Sequence, residues 1–237
     1  MKAVLAMYKK RGETPLQALL RLKRENPIYE DVPLSYAGRL DPMAEGVLLV
    51  LAGEANQERK KYLALPKGYR FEVLFGFATD SYDLLGKLTE VEDVRISPEG
   101  VLAALAKFEG TFEQAYPPYS SHPVRGKPLF EWAREGRLNE IDIPLHEVKV
   151  KHVRLQKMYT ITGDKLYHYI EGALENVTGD FRQDEIWKSW QFYLRGNYLN
   201  VYDVAAVEIE CTSGTDVRGI VHELSILLHV PSCALRI

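Results

Sequence analysis

Residues 36–55 read YAGRLDPMAEGVLLVLAGEA. The run Val47-Leu48-Leu49-Val50-Leu51 is unbroken and lies between Gly46 and Gly53, so it reads as a strand buried on both faces. Asp41 stands ahead of it, pinned between Leu40 and Pro42, with Gly38 and Gly46 on either side. A carboxylate at the mouth of a core strand either caps a turn or is held there for chemistry.

Upstream of this stretch, Thr14-Pro15 places an N-cap and a first-turn proline before LQALLRLKREN, a helix with Leu16, Leu19 and Leu20 as its apolar stripe. Downstream, Tyr69, Phe71, Val73, Phe75 and Phe77 alternate with Arg70 and Glu72 and predict a half-exposed strand. Ser97-Pro98 opens a helix that carries Val101, Leu105 and Phe108 and stops at Gly110. Residues 116–137 are rich in Pro, Gly and Tyr and predict a structured arm. The segment VAAVEIECTS alternates Val207, Ile209 and Cys211 against Glu208 and Glu210. After Ser213-Gly214-Thr215 comes an amphipathic helix with Val217, Ile220, Val221, Leu224, Leu227 and Leu228 on one face. Strands and helices interleave without regular βα alternation, so the 237 residues predict one α+β domain around a mixed sheet.

The composition excludes several classes of function. No apolar run is long enough to span a bilayer, and the opening MKAVLAMYKK is too short and too quickly charged for a signal peptide, which predicts a cytoplasmic protein with no membrane partner. Cys211 and Cys233 are unclustered, and the six histidines lack ligand spacing, so neither a disulfide framework nor a metal site is expected. Neither GxGxxG nor GxxxxGK[ST] occurs. The net charge of −3 does not advertise a nucleic-acid binder, yet basic residues cluster at Lys9-Lys10-Arg11, at Arg59-Lys60-Lys61, and at Lys67 with Arg70. The polar candidates left at turns and strand ends are Asp41, Tyr69, Asp80, Asp83 and Arg218. Taken singly, the three aspartates read as turn residues and Arg218 as a first-turn surface residue.

Five blocks, in order, change that reading: YKKRGETPLQALLRLKR, GRLDPMAEGVLLVLAGEA, KGYRFEVLFGFATDSYDLLGK, QAYPPYSSHPVRGKPLFEWAREG and CTSGTDVRGIVHEL. Together they resemble the motif series of the TruB family of pseudouridine synthases, which modify a uridine in the TΨC arm of transfer RNA. The resemblance covers most of residues 8–138 and 204–236. It implies the pseudouridine-synthase fold, with a mixed, mostly antiparallel central sheet flanked by helices and a catalytic cleft. It implies an isomerase that uses no metal or organic cofactor, with RNA, most specifically a tRNA T-arm, as partner and the chain acting as a monomer.

By the same resemblance Asp41 is the nucleophile, Arg218 its counter-charge, and Tyr69 a stacking and proton-moving residue. Such chemistry needs a carboxylate that can add to the substrate and later leave, and a buried carboxylate needs a cation beside it. Leu235 packs on the other face of a flipped-out base. Tyr36, Gly38, Arg39 and Lys67 line the RNA approach around the catalytic turn. Lys127 and Arg134 contact RNA from an arm around 114–138.

The chain also departs from the family pattern. Tyr36 stands where a histidine is usual, Arg39 gives an R-L-D motif closer to the ribosomal synthases, Pro123 replaces a lysine, and Asp216 replaces a tyrosine. Residues around 157–200 look like an insertion, in which Lys188, Arg195 and the aromatics Trp187, Trp190, Phe192 and Tyr193 either meet RNA or pack. The expected organisation is a single catalytic domain over 1–237 with no PUA domain. Three rival readings stand beside this one: a synthase for another tRNA or rRNA site, a non-catalytic RNA-binding or RNA-folding factor on the same fold, and a carboxylate glycosidase, which would need a second facing acid.

Overall fold

Strand β1 (Lys2–Lys9) leads through a loop to helix α1 (Pro15–Glu25), which starts where its cap dictates: Thr14 Oγ1 accepts from Gln17 N, and Gln17 Oε1 accepts from Thr14 N. The computed structural model describes residues 1–237. Strands β2 (Leu34–Ala37) and β3 (Gly46–Gly53) follow, and β1, β3 and β2 form an antiparallel three-stranded sheet with β3 in the middle. Asp41 lies in the loop that joins β2 to β3. The face that β1 and β3 share at Tyr8 and Val47 stays open, so Val47 is 69% exposed and Leu49 only half-buried, and the expected two-sided burial of the apolar run holds without a break only from Val50 onward. In α1 the buried residues are Ala18 and Leu19, whereas Leu16 and Leu20 face outward.

Helix α2 (Arg59–Leu63) precedes β4 (Lys67–Phe75); Gly76, at φ +91°, ends β4, and β5 (Phe77–Thr79) pairs with β6 (Leu88–Val91). Helix α3 (Pro98–Leu105) is capped by Ser97, and β7 (Gly110–Ala115) follows. The arm contains a small hairpin, β8 (Pro123–Val124) with β9 (Lys127–Pro128), and helix α4 (Leu129–Arg134). The long strand β10 (Leu145–Thr162) runs into α5 (Gly163–Glu175), α6 (Gln183–Leu194) and β11 (Val201–Cys211). Helix α7 (Val217–Leu228) and β12 (Ser232–Arg236) complete the chain.

The five-stranded sheet has the order β12-β4-β11-β10-β7, and every ladder in it is antiparallel. Parallel pairing is confined to two isolated bridges, Asp83 with Ala234 and Glu109 with Val150. One face of this sheet packs on α3 and α7 through Val101, Leu105, Ile220 and Leu224. On the other side α5 and α6 bury Ile170, Ile186 and Trp190 with Leu74, Phe77 and Tyr202. Of the 157–200 segment, the first six residues continue β10 and the rest build this helical pair. Trp190 is fully buried, Trp187 and Tyr193 are partly so, and Phe192 points outward, as do Lys188 and Arg195.

Candidate active site

Arg218 occupies the first turn of α7, and that turn is fixed by the residues before it. Asp216 is the N-cap, its Oδ1 accepting from Arg218 N at 2.9 Å and Gly219 N at 3.2 Å. Gln114 of β7, fully buried, accepts from Asp216 N at 2.8 Å and donates to Asp216 O at 3.1 Å, which locks the helix start to the sheet. The Arg218 side chain is 4% exposed. Its Nη1 donates to Ser81 O at 3.1 Å. Three carboxylates surround it: Asp41 Oδ2 lies 2.7 Å from Nε, Asp216 Oδ2 3.6 Å from Nη2, and Asp83 Oδ2 4.0 Å from Nε. The Nε–H is not aligned on the Asp41 oxygen, so that contact is an ion pair rather than a directed hydrogen bond.

Asp41 is placed by a turn that several elements hold. Ala44 N donates to Asp41 O, Gly12 N to Pro42 O at 2.8 Å, and Glu45 N to Ile237 O at 2.9 Å. Gly12 sits at φ +89°, and a Cβ there would lie 2.1 Å from Asn176 O, so only glycine lets the N-terminal loop pass between the Asp41 turn and the end of α5. Beneath the turn, Lys9 Nζ donates to Ala44 O at 2.6 Å and Lys10 O at 3.0 Å. Lys9 is wholly buried, and burial pulls its ammonium down to about 8. It therefore supports the turn and does not belong to the exposed basic cluster expected at 9–11. The Asp41 side chain itself is 39% exposed and faces a cleft.

That cleft has two parts. On one side of Asp41 a groove of about 760 Å³ runs past Gly38, Arg39, Lys67 and Tyr69 to Arg236 and Ile237. Burial raises the Tyr69 hydroxyl well above its ordinary range, so it stays a neutral phenol, suited to stacking and hydrogen bonding rather than to acting as phenolate. On the other side a cavity of about 490 Å³ reaches from Asp41 and Arg218 past Tyr36 to Tyr119, Arg134 and Arg182. Leu235 is buried in the core at 3% exposure, and Ile237 stands at the cleft beside Asp41 and Tyr69 instead. The cause is a register shift between Ala234 and Arg236, which turns the two residues to different sides.

The remaining expected residues lie around this cleft. Arg39 Nη1 donates to Ser121 Oγ, which joins the Asp41 turn to the arm. Lys67 Nζ donates to Leu65 O at 2.7 Å, and partial burial lowers its pKa. Arg134 donates to Asp180 O at 2.5 Å. Lys127 lies 4.4 Å above the Trp132 ring and pairs with Glu135 at 2.5 Å, so the structure turns it toward the arm's own core.

Two groups in the cleft exceed what their sequence positions suggest. Asp83 does form the expected Asx-turn, its Oδ1 accepting from Leu85 N at 2.9 Å and Ser81 Oγ at 2.6 Å, but its other oxygen faces Arg218. Full burial pushes its carboxyl up to about 6, against the opposing pull of Arg218. Arg182, from the α5–α6 connection, sits at φ +64°, pairs with both oxygens of Asp80 at 2.8 and 3.2 Å, and stacks 4.1 Å from the Tyr119 ring centroid. No family motif covers Arg182, and only its arrival in the cleft reveals it.

The raised Asp83 carboxyl makes a stability prediction. Between its unfolded value of 3.8 and about 6 the folded state binds the extra proton, so the contribution of Asp83 to stability declines as pH rises through that window and is constant above it. Relative to Asp83→Asn, the wild type is expected to lose about 1.4 kcal/mol per pH unit there, about 3 kcal/mol in total. Denaturant melts of both proteins across pH 4–7 measure this, and parallel pH profiles would contradict it.

The sheet order, with an ion-paired carboxylate at the end of its central cleft, defines the fold of a pseudouridine synthase. The solved structure titled "Crystal Structure of a Cbf5-Nop10-Gar1 Complex" shares this fold at a TM-score of 0.55 and 14% identity, over 98% of this chain and 46% of that one. The model of the TruB family pseudouridylate synthase N-terminal domain matches residues 28–172, and the chain belongs to that family. A tRNA pseudouridine synthase B of Caldanaerobacter subterraneus is 30% identical over 205 residues, 86% of this chain and 57% of that protein. A tRNA pseudouridine synthase B of Lactobacillus gasseri is 30% identical over 234 residues, 98% of this chain and 65% of that protein. The chain thus spans less than two thirds of the length of either relative.

Proposed function

We propose that this protein isomerises a flipped-out uridine to pseudouridine in RNA, in the TΨC loop of a tRNA, with Asp41 as nucleophile. The observation that carries the proposal is the Asp41–Arg218 ion pair at the lip of the Tyr69 groove, in a chain of this family. The names of the relatives support the reaction and the RNA class. In the reaction the N1–C1′ bond breaks, the uracil turns, and C5 bonds to C1′; C5 loses a proton and N1 gains one, so nothing is oxidised and no water is consumed. Asp41 adds to the substrate and leaves again, and Arg218 holds its charge in place through the cycle. The uracil lies between Tyr69 and Ile237, which supply an aromatic and an aliphatic wall for the unstacked base. The neutral Tyr69 phenol donates a hydrogen bond there, and the proton at C5 passes to a carboxylate or to solvent.

Residues 1–237 act here as one catalytic unit, with the arm and the exposed Lys10, Lys60, Lys61, Arg70 and Arg125 meeting RNA phosphates. Binding of a T-arm hairpin is expected to weaken steeply with salt, with a log–log slope of roughly −4 if about five phosphates are neutralised. Titrations at several KCl concentrations measure the slope, and a flat dependence would leave these cations as solvated surface only. Pseudouridine mapping of cellular RNA with and without the gene tests the target. Loss of marks confined to ribosomal RNA would overturn the tRNA assignment and leave the reaction standing.

A further inference from the structure

Two arginines from opposite ends of the chain meet on a single phenol. Arg11 Nη1 donates to Tyr169 Oη, and Arg236 Nε donates to the same oxygen at 3.3 Å. Their guanidinium carbons lie 5.1 and 5.7 Å from the Tyr169 ring centroid. Tyr169 Oη in turn donates to Leu235 O at 3.4 Å, so its hydrogen-bonding capacity is used up. Neither arginine has a carboxylate oxygen within 4.0 Å. Glu45 and Glu72 act on Arg236 only from farther away. Two like charges are therefore gathered on a neutral oxygen with no carboxylate in contact with either, an arrangement that an anion between them would relieve.

The place of this pair gives it a ligand. Arg236 closes the groove that begins at Arg39 and Tyr69 beside Asp41. Arg11 and Tyr169 line an adjoining hollow of about 480 Å³ with Asn176 and with Glu45, whose carboxylate also borders the groove but touches neither arginine. Tyr169 belongs to α5, so this element brings together two cations that the two ends of the chain supply.

We infer that Arg11 and Arg236, held by Tyr169, form a phosphate-binding clamp that takes one backbone phosphodiester of the RNA whose uridine lies at Asp41. The inference rests on the RNA substrate proposed above. Guanidinium forks suit it, because each can give two N–H groups to phosphate oxygens while remaining stacked on the tyrosine. The clamp adds position rather than base sequence, fixing how far the strand runs from the reacting nucleotide to α5.

The test uses the full chain and a T-arm hairpin. Arg236→Gln and Arg11→Gln are each expected to weaken binding roughly 3–10-fold at 0.1 M salt and to reduce the salt slope by about one. Tyr169→Phe keeps the ring but frees both guanidinia, and its loss should be intermediate. A set of hairpins, each carrying one neutral methylphosphonate linkage near the reacting uridine, then locates the contact. At one linkage the neutral substitution and Arg236→Gln should cost wild-type binding the same amount, and together no more than either alone. Losses that add at every linkage would overturn the clamp. So would inorganic phosphate that raises the melting temperature of wild type but not of Arg236→Gln while the RNA losses add, since the site would then take a free anion. A wild-type protein that binds the hairpin no better than unrelated RNA would instead overturn the substrate assignment. Should Arg11→Gln fail to fold, exposed Arg236 still decides the outcome.

Discussion

Asp41→Asn is expected to lower the isomerisation rate by at least about 10⁴-fold while RNA affinity stays within a few-fold. The substitution conserves shape and removes the charge and nucleophilicity of the carboxylate that lies nearest Arg218, at 2.7 Å, and faces the cleft beside Tyr69. Asp83 cannot take over: it is fully buried, bonded to Ser81 Oγ and Leu85 N, and 4.0 Å from the same guanidinium on the inner side. Single-turnover formation of pseudouridine in a T-arm hairpin, with binding measured in parallel, gives both numbers. Turnover by the Asn variant near the wild-type rate would remove Asp41 from the chemistry, whereas no turnover by the wild type would revive the reading of the fold as a non-catalytic RNA-folding factor.

Arg218→Met should stop catalysis and also unsettle the protein. The side chain it removes is buried among three aspartates, and burial already raises the carboxyls of Asp83 and Asp216. Breaking such a cluster by deleting its cation costs about 3–5 kcal/mol, which for a chain of this length lowers Tm by about 10 °C. The loss has a pH signature. Without the cation both carboxyls hold their protons to still higher pH, so the variant regains stability as pH falls through those raised values, whereas the wild type gains less. Thermal melts from pH 5 to 8 test it, and a variant with wild-type Tm and rate would show that the ion pair is incidental. Arg218→Lys keeps the charge but not the fork, and an intermediate rate is expected.

Much of this architecture is legible in the residues because local signals agree with the tertiary ones. The Thr14 and Ser97 caps, the alternation of 207–211 and the apolar stripe of α7 each fix an element by short-range physics. What escapes is decided at longer range. Lys9 reads as one of three surface cations, but it is the last residue of β1 and passes under the Asp41 turn, where two carbonyls need a donor. Leu235 and Ile237 have the same parity, and only the irregular pairing of β12 with β4 separates them. Asp216 looks like a lost tyrosine until the Gln114 contacts show that it caps the helix carrying Arg218. Arg182 depends on where the α5–α6 connection folds back, over 100 residues from its partner Asp80.

The ties between the arm and its surroundings have a kinetic corollary. Arg39 to Ser121, Arg134 to Asp180, and Arg182 to Asp80 and Tyr119 fasten the arm at three points in the free protein. Fixing a backbone residue costs roughly 1–2 kcal/mol of conformational entropy, and here folding bears that cost before any RNA arrives. If the arm keeps these ties on binding the proposed RNA, association is expected to follow long-range attraction and to vary little from one RNA to another. For the RNA substrate proposed above, discrimination between right and wrong transcripts is then expected to fall on residence time, the wrong ones leaving the ready-made cleft sooner.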